Sequence, residues 1–348
     1  MKRTFRFLIT AVLAALALGI AACGDDDDDG GGGGGGSGGE DTAEAIKAGL
    51  VTDIGGLNDR GFNFLANKGL DQAKSELGAD TRVLISGSNG DYVPNLTTLV
   101  QQKYDIVVAN GFLMADATNT VATKLPDAQF AIIDFPATGL KDKPKNVEGL
   151  LFAEQEGGYL VGYLAGLWAK DNDATTVSTV GGQKIPPVDH YIAGFRAGAK
   201  AAFPQVKTLN GYSQDFIDQA KCKEIALDQI SKGSKVVFQV AGQCGLGALD
   251  AAKEKGVQGI GVDADQAYLG DHVLTSALKK VDVAVFEAIE RAQKGSFKGG
   301  TDVLHNVESE GVGIGKLGPE GEKYADEIQK IQDQITSGEI KDIPDTVE

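Results

Sequence analysis

The chain has 348 residues, and its 33 Lys and Arg against 49 Asp and Glu give a formal charge of −16. This acidity argues against nucleic acid as a partner, because neutralising phosphates requires clustered basic side chains. Hydrophobic residues make up 42% of the chain, which excludes disorder as the state of most of it. The length is typical of two domains.

Residues 1–22 have the pattern of a lipoprotein signal peptide. Three basic residues among the first six precede an apolar run of about 14 residues, Phe7 to Ile20, which is shorter than the ~20 residues of a spanning helix. Two alanines then lead to Cys23, a junction that resembles a bacterial lipobox, in which the cysteine is acylated. We expect a lipid anchor such as palmitate on Cys23, at the extracytoplasmic face of a bacterial membrane. The alternative is ordinary cleavage beside an incidental cysteine.

The segment 23–43 is predicted to be a tether. It contains the aspartate run Asp25 to Asp29 and the glycine run Gly30 to Gly36, and no hydrophobic side chain lies between residues 24 and 39. Glycine maximises backbone freedom, so this stretch cannot fold by itself. For the aspartates, a solvated charge run is favoured over a cation site.

From Ala45 onward, short apolar runs alternate with segments of helical periodicity. The runs are apolar on both faces, as are strands that helices cover on both sides. The alternation predicts an α/β fold with parallel sheets and right-handed crossovers. The candidate strands are Ile46–Val51, Arg82–Ile85, Asp105–Ala109, Phe130–Ile133, Thr175–Val180, Val236–Val240 and Gly259–Val262. The candidate helices are roughly Gly61–Leu77, Pro94–Lys103, Ala115–Lys124, Gly157–Ala169, His190–Ala202, Gln219–Ser231, Leu246–Lys255 and Val281–Gln293.

In open α/β sheets, ligands bind beyond the carboxyl ends of the strands. Polar and aromatic residues gather there in this sequence, after the first, third and fourth candidate strands and after the strand near residue 259. The strand near residue 236 leads into Ala241–Gly247. Its glycines predict a tight turn that points the N–H groups of a helix N-terminus at a ligand.

Residues suited to catalysis or metal binding are sparse. The three histidines, His190, His272 and His305, share no metal-like spacing with each other or with a cysteine, which argues against a zinc site and favours surface or structural roles. Neither the Gly-x-Ser-x-Gly elbow nor a phosphate-binding loop occurs in the sequence. We therefore expect a binding site without metal, cofactor or catalytic residues.

Cys222 and Cys244 are the cysteines that remain in the body of an exported chain. An oxidising location favours a disulfide between them. It would close a loop of about 20 residues and contribute about 3 kcal/mol in the chain-entropy model. Two buried free thiols are the alternative.

Several segments in this order resemble the basic membrane protein family of ABC transporter substrate-binding lipoproteins, which are similar to purine nucleoside receptor lipoproteins. They are VTDIGGLNDRGFN at 51–63, AEQEGGYLVG at 153–162, GFRAG at 194–198, IGVDADQ at 260–266 and TSALK at 275–279. The resemblance implies a type I periplasmic-binding-protein fold, with two doubly wound parallel-sheet lobes joined by a hinge. It also implies a nucleoside ligand, a permease and an ATPase as partners, and no enzymatic activity. We assign 44–154 and 267–298 to the N-terminal lobe, and 155–266 and 299–348 to the C-terminal lobe.

The resemblance further implies an aromatic clamp. In the family, one phenylalanine from each lobe stacks on the base, and Phe62 and Phe216 match these positions. A flat base favours such contacts, each stack contributing about 1–3 kcal/mol. The alternative for both rings is core packing.

Polar roles follow from the same resemblance. Asp263 matches the ribose-binding aspartate, since a carboxylate can accept hydrogen bonds from two adjacent hydroxyls. Gly242 would let the backbone approach the sugar, and Lys279 would reach ribose oxygens from the hinge side. Of the remaining matched positions, Asp53 and Asn63 are the expected readers of base edges, and Asp134 faces the ligand. For each aspartate, a helix cap or a loop hydrogen bond is the alternative.

The leading hypothesis is a membrane-anchored receptor that captures a nucleoside, most simply a purine nucleoside, for an ABC importer. A second hypothesis keeps the fold and changes the ligand to a sugar or another small metabolite. A third, an exported nucleoside-processing enzyme, is disfavoured because a catalytic base and an activated nucleophile are missing from the sequence motifs.

Overall fold

The computed structural model describes residues 45–347. The predicted signal peptide, the lipidation site at Cys23 and the tether lie outside the described residues. Within 45–347, no helix is long and apolar enough to cross a membrane.

Two six-stranded sheets form the framework of the described chain. The strands are β1 (Lys47–Val51), β2 (Asp80–Leu84), β3 (Ile106–Ala109), β4 (Gln129–Ile133), β5 (Val147–Phe152), β6 (Thr176–Gly181), β7 (Lys207–Tyr212), β8 (Ser234–Val240), β9 (Gln258–Asp263), β10 (Val273–Lys279), β11 (Thr301–His305) and β12 (Val312–Ile314). The first sheet has the order β2-β1-β3-β4-β5-β11, and the second has the order β7-β6-β8-β9-β10-β12. Neighbouring strands run parallel, apart from the antiparallel pair β10 and β12.

Helices cover both faces of each sheet. They are α1 (Phe62–Glu76), α2 (Tyr92–Gln101), α3 (Ala115–Lys124), α4 (Glu154–Asp171), α5 (Pro186–Ala202), α6 (Gln219–Ser231), α7 (Gly242–Lys255), α8 (Val281–Gln293) and α9 (Ala325–Thr336). Along β3, Ile106 and Val108 pack into the core under α1 and α8, whereas Val107 and Ala109 pack under α2 and α3. This alternation explains why the strand is apolar on both faces. The predicted α/β fold with two doubly wound, mostly parallel sheets is confirmed.

The candidate strands and helices are all present, with ends displaced by up to four residues, as at the start of α5. The sequence analysis missed β5, β7, β10, β11, β12 and α9. Three of the missed strands, β7, β11 and β12, are edge strands of their sheets, and edge strands lack the double apolar face on which the prediction relied. In β5, the acid Glu148 is buried because it pairs with Arg291 of α8 at 2.6 Å, a partner that periodicity cannot reveal.

The predicted lobe boundaries are wrong for two segments. Strand β10 pairs with β9 in the second sheet, although residues 267–298 were assigned to the first lobe. Strand β11 pairs with β5 in the first sheet, although residues 299–348 were assigned to the second lobe. The chain crosses between the sheets after β5, after β10 and after β11, because β11 completes the first sheet beside β5, far back in the sequence, and β12 then returns to the second sheet beside β10.

Candidate ligand-binding site

A cavity between the two lobes holds about 660 Å³ of atom-free space, part of it open to solvent. The eight residues that the sequence analysis assigned to the ligand all line it: Asp53, Phe62, Asn63, Asp134, Phe216, Gly242, Asp263 and Lys279. Lining residues come from the carboxyl ends of strands in both sheets, as the rule for open α/β sheets requires.

The two aromatic residues of the predicted clamp come from opposite lobes. Phe62 begins α1 and packs partly against the core of the first lobe, and Phe216 lies between β7 and α6 and packs partly against the core of the second. The Phe216 ring lies over Gly182 so closely that a Cβ there would overlap the ring. Both rings are half-buried and line the cavity. Each ring therefore keeps a surface that can face a ligand in the cavity.

Asp53, two residues after the end of β1, is held by its loop. The N–H of Ile54 donates to its Oδ1 at 2.7 Å, and the hydroxyl of Tyr92 donates to the same oxygen. Burial raises the pKa of Asp53 to about 6, partly offset by these two hydrogen bonds. Its Oδ2 accepts no hydrogen bond from the residues that the structure describes, so this oxygen can accept one from a ligand.

Asn63 has a larger positioning role than the sequence predicted. Its Oδ1 accepts from the N–H of Asp53 at 3.1 Å and from the amide of Asn110 at 2.9 Å. Its own amide donates to the carbonyl of Ile54 at 3.2 Å. The oxygen is therefore occupied, and one N–H of the amide remains for a ligand.

Asp59 was not predicted as a site residue, yet it lines the cavity and fixes the start of α1. Its carboxylate accepts from the N–H groups of Gly61, Asn63 and Phe64 at 2.7–3.1 Å. These are N–H groups that the helix itself leaves unpaired. The cap thereby sets the position of Phe62.

Lys279, at the end of β10, joins the lobes. Its Nζ lies 2.6 Å from Oδ1 of Asp134 in the first lobe and 2.9 Å from Oε1 of Glu154 at the start of α4. Burial opposes the charge on Lys279, but these carboxylates raise its pKa above the ordinary value. The same ammonium lies 5.2 Å from the centre of the Phe62 ring, so the cation and the predicted clamp share one end of the cavity.

The pKa values of the two acids beside Lys279 are shifted in opposite directions. Burial raises the pKa of Asp134 to about 6, against the opposing effect of Lys279. Burial also acts to raise the pKa of Glu154, but Lys279 and His190 together hold it below the ordinary value. His190 lies 3.0 Å from Oε2 of Glu154. Sequence reasoning placed Glu154 inside a family motif and gave it no role, because its two partners are distant in the chain.

Asp263, at the end of β9, is the least compensated acid of the site. Its side chain accepts no hydrogen bond from the residues that the structure describes, and it is 8% exposed. Burial raises its pKa to about 7, with Lys279 opposing the shift and neighbouring acids adding to it. An unpaired buried acceptor is costly, so this carboxylate is suited to a ligand that brings donors.

Gly242 opens α7 with φ of +54°, a conformation that favours glycine. In the first turn of α7, the N–H of Cys244 donates to the carbonyl of Phe216 at 3.0 Å. Cys244 is joined to Cys222 of α6, with Cα atoms 5.5 Å apart. The disulfide thus ties together α6, the first turn of α7 and the Phe216 loop.

Comparison with known proteins identifies the family of this chain. A model of the Bmp family, described as "ABC transporter substrate-binding protein PnrA-like", matches residues 46–346. The chain belongs to this family. The resemblance inferred from the sequence motifs is confirmed.

Relatives of known name and structure agree with this assignment. The chain is 34% identical over 317 residues to the "ABC transporter nucleoside-binding protein BmpA" of Lactococcus lactis, covering 85% of this chain and 88% of that protein. It is 35% identical over 317 residues to a lipoprotein of Pyrococcus horikoshii, covering 87% and 76%. A solute-binding protein of an ABC transporter system from Aeropyrum pernix has a similar structure, with a TM-score of 0.77, 27% identity and coverage of 86% of this chain and 94% of that one.

The Bmp-family chain is therefore a substrate-binding protein of an ABC transporter, and its role implies transporter partners. The family is one of binding proteins and not of enzymes, so the hypothesis of an exported enzyme is not supported.

Proposed function

We propose that this protein captures a nucleoside, and specifically a purine nucleoside, in the cavity between its lobes and delivers it to an ABC permease. The observation that carries the proposal is that Phe62 and Phe216, from opposite lobes, line one cavity together with the uncompensated carboxylate of Asp263. A flat base and a sugar diol are the two chemical groups that this combination suits.

The aromatic part of the proposal rests on exposure. Phe62 and Phe216 each pack one side against a lobe and keep the rest toward the cavity. A base between them would gain about 1–3 kcal/mol from each stack. The carboxyl group of Asp53, with a pKa of about 6, is ionised at neutral pH. Its free Oδ2 can accept a hydrogen bond from an N–H of the base edge.

The sugar part rests on Asp263 and Lys279. A cis-diol donates to both oxygens of a carboxylate in charge-assisted hydrogen bonds, and Asp263 has both oxygens available among the described residues. Nζ of Lys279 donates to Glu154 and lies within ion-pair distance of Asp134. An ammonium has three donors, so a remaining one can serve a ribose oxygen. The relative from Lactococcus lactis, which is named for nucleoside binding, supports the same ligand class.

The test is calorimetric titration and thermal shift with adenosine, guanosine, inosine, cytidine, ribose and arabinose, on protein unfolded and refolded to remove bound ligand. We expect purine nucleosides to bind and to raise Tm as RT ln(1 + [L]/Kd) predicts. Phe62→Ala should weaken binding about 5–100-fold. Phe64→Ala is the matched control, because Phe64 lies in the same helix, is 47% exposed and does not line the cavity.

A protein that binds no nucleoside in this panel refutes the proposal. The alternative of a sugar or another small metabolite is favoured if ribose or arabinose binds and Phe62→Ala binds it undiminished.

We further propose that Cys23 carries the lipid anchor and that 23–43 tethers the body to the extracytoplasmic face of the membrane. The similarity to a lipoprotein of Pyrococcus horikoshii supports this proposal. Metabolic labelling with a palmitate analogue should mark the wild-type protein and not Cys23→Ala, and equal labelling of both would contradict it.

A further inference from the structure

Tyr191 has a polar group that the described interactions leave unused. It lies on α5, is 2% exposed and lines the cavity between the lobes. Its hydroxyl is buried and has no hydrogen-bond partner among residues 45–347. Sequence analysis assigned no role to this residue.

The Tyr191 ring has little freedom to find a partner elsewhere. It packs edge-on against Phe238 of β8, with ring centres 6.0 Å apart and planes at 81°. The backbone of α5 is pressed against α4, since a Cβ at Gly158 would overlap the carbonyl of Tyr191. The phenol is therefore held where it lies, at the wall of the cavity.

Burying a hydroxyl without a partner costs about 1–3 kcal/mol, whereas a phenylalanine of the same shape avoids that cost. A tyrosine at this position therefore indicates that its partner arrives with the ligand. The charged side chains around the Tyr191 hydroxyl indicate which part of the ligand supplies this partner. The largest charge effect on the hydroxyl comes from Asp263, which lines the same cavity and is the carboxylate assigned to the sugar, and smaller effects come from Glu154 and Asp134. Burial and these charges keep the pKa of Tyr191 well above its ordinary value, so the group stays a neutral donor.

We propose that Tyr191 is a specificity-determining residue, whose hydroxyl bonds one hydroxyl of the sugar beside Asp263. The proposal rests on the proposed nucleoside function and adds a third residue to the recognition of the sugar, after Asp263 and Lys279.

The experiment is a chemical double-mutant cycle. Wild type and Tyr191→Phe are titrated calorimetrically with adenosine and with its 2′-, 3′- and 5′-deoxy analogues. We expect Tyr191→Phe to bind adenosine about 5–30-fold more weakly. For the one analogue that lacks the partner hydroxyl, variant and wild type should bind equally, because the interaction is already absent. Tyr104→Phe, a buried tyrosine away from the cavity, is the matched control and should behave as wild type throughout.

The ligand-free stability of Tyr191→Phe should equal or exceed that of wild type, since the substitution removes an unpaired polar group. Unchanged adenosine binding by this variant refutes the role of Tyr191 and leaves the nucleoside function intact. If Tyr191→Phe weakens the binding of all three deoxy analogues equally, the role is also refuted, because the Tyr191 hydroxyl then contacts water or the base. A wild-type protein that binds no nucleoside refutes the proposed function itself, which is a separate result.

Discussion

Replacing Asp263 with Asn should stabilise the ligand-free protein and weaken nucleoside binding. Burial raises the pKa of this carboxyl from 3.8 to about 7. At 1.36 kcal/mol per pKa unit, keeping the group ionised at pH 8 costs the folded state up to about 4 kcal/mol. An amide of the same shape carries no such cost.

The direction in which stability changes with pH follows from proton linkage. Because the folded-state pKa lies above the unfolded one, the folded protein binds more protons between about pH 4 and pH 7, and its stability falls as the pH rises through that range. The gain from Asp263→Asn should therefore be near zero at pH 4 and full at pH 8. Binding should change in the opposite direction. Losing charge-assisted hydrogen bonds to a diol costs about 2–4 kcal/mol, or at least 30-fold in Kd at pH 8.

The assay combines chemical denaturation of ligand-free protein at pH 4 and pH 8 with calorimetric titration of adenosine at pH 8. Asp127→Asn is the control, because Asp127 is exposed and lies outside the cavity, and it should change neither quantity. A variant that is less stable than wild type at pH 8, or one that binds adenosine with unchanged affinity, would show that Asp263 is not an uncompensated ligand acceptor.

Three further predictions concern other parts of the site. Lys279→Met should lower the free energy of unfolding at pH 8 by about 3–5 kcal/mol, because it removes the cation beside buried Asp134 and leaves Glu154 with His190 alone. Denaturation at pH 5 should show a smaller loss, since Asp134, with a pKa of about 6, can take up a proton, and an equal loss at both pH values would contradict this. Substituting Cys222 and Cys244 with Ala should lower the free energy of unfolding by about 3 kcal/mol, because the bridge spans 22 residues. The same variant should bind nucleoside more weakly, because the disulfide holds the Phe216 loop. A variant with wild-type stability and wild-type affinity would argue against both effects. Adenosine 5′-monophosphate should bind at least 100-fold more weakly than adenosine, because the cavity is lined by carboxylates and its lysine is already paired. Competition calorimetry measures the difference, and comparable affinities would mean that the cavity tolerates anions.

Much of the fold was predictable because its central strands are apolar on both faces and most helices have clear periodicity. The site was predictable in position, since the rule about strand ends placed Asp53 and Asp263 on one cleft and the family resemblance added the aromatic pair. Helix α9 was missed although its pattern is plain, with Ile328, Ile331 and Ile335 buried along one face.

The rest depended on contacts that sequence separation hides. Glu154 belongs to the buried charge cluster beside the cavity only because Lys279, 125 residues away, reaches it. Tyr191 falls within a predicted helix as an ordinary apolar position, and its unpaired hydroxyl is visible only once the surroundings are known. The assignment of β10 and β11 to lobes failed because helix and strand patterns do not state which sheet a strand joins.

The return of β11 to the first sheet bears on biogenesis. The first sheet lacks its last member until residue 305 has emerged, and the second lacks β12 until residue 314. No single cut of the polypeptide releases an intact half, so neither half can mature early as an autonomous unit. A precursor that crosses a membrane N-terminus first would stay loose enough for threading until nearly all of it had passed through.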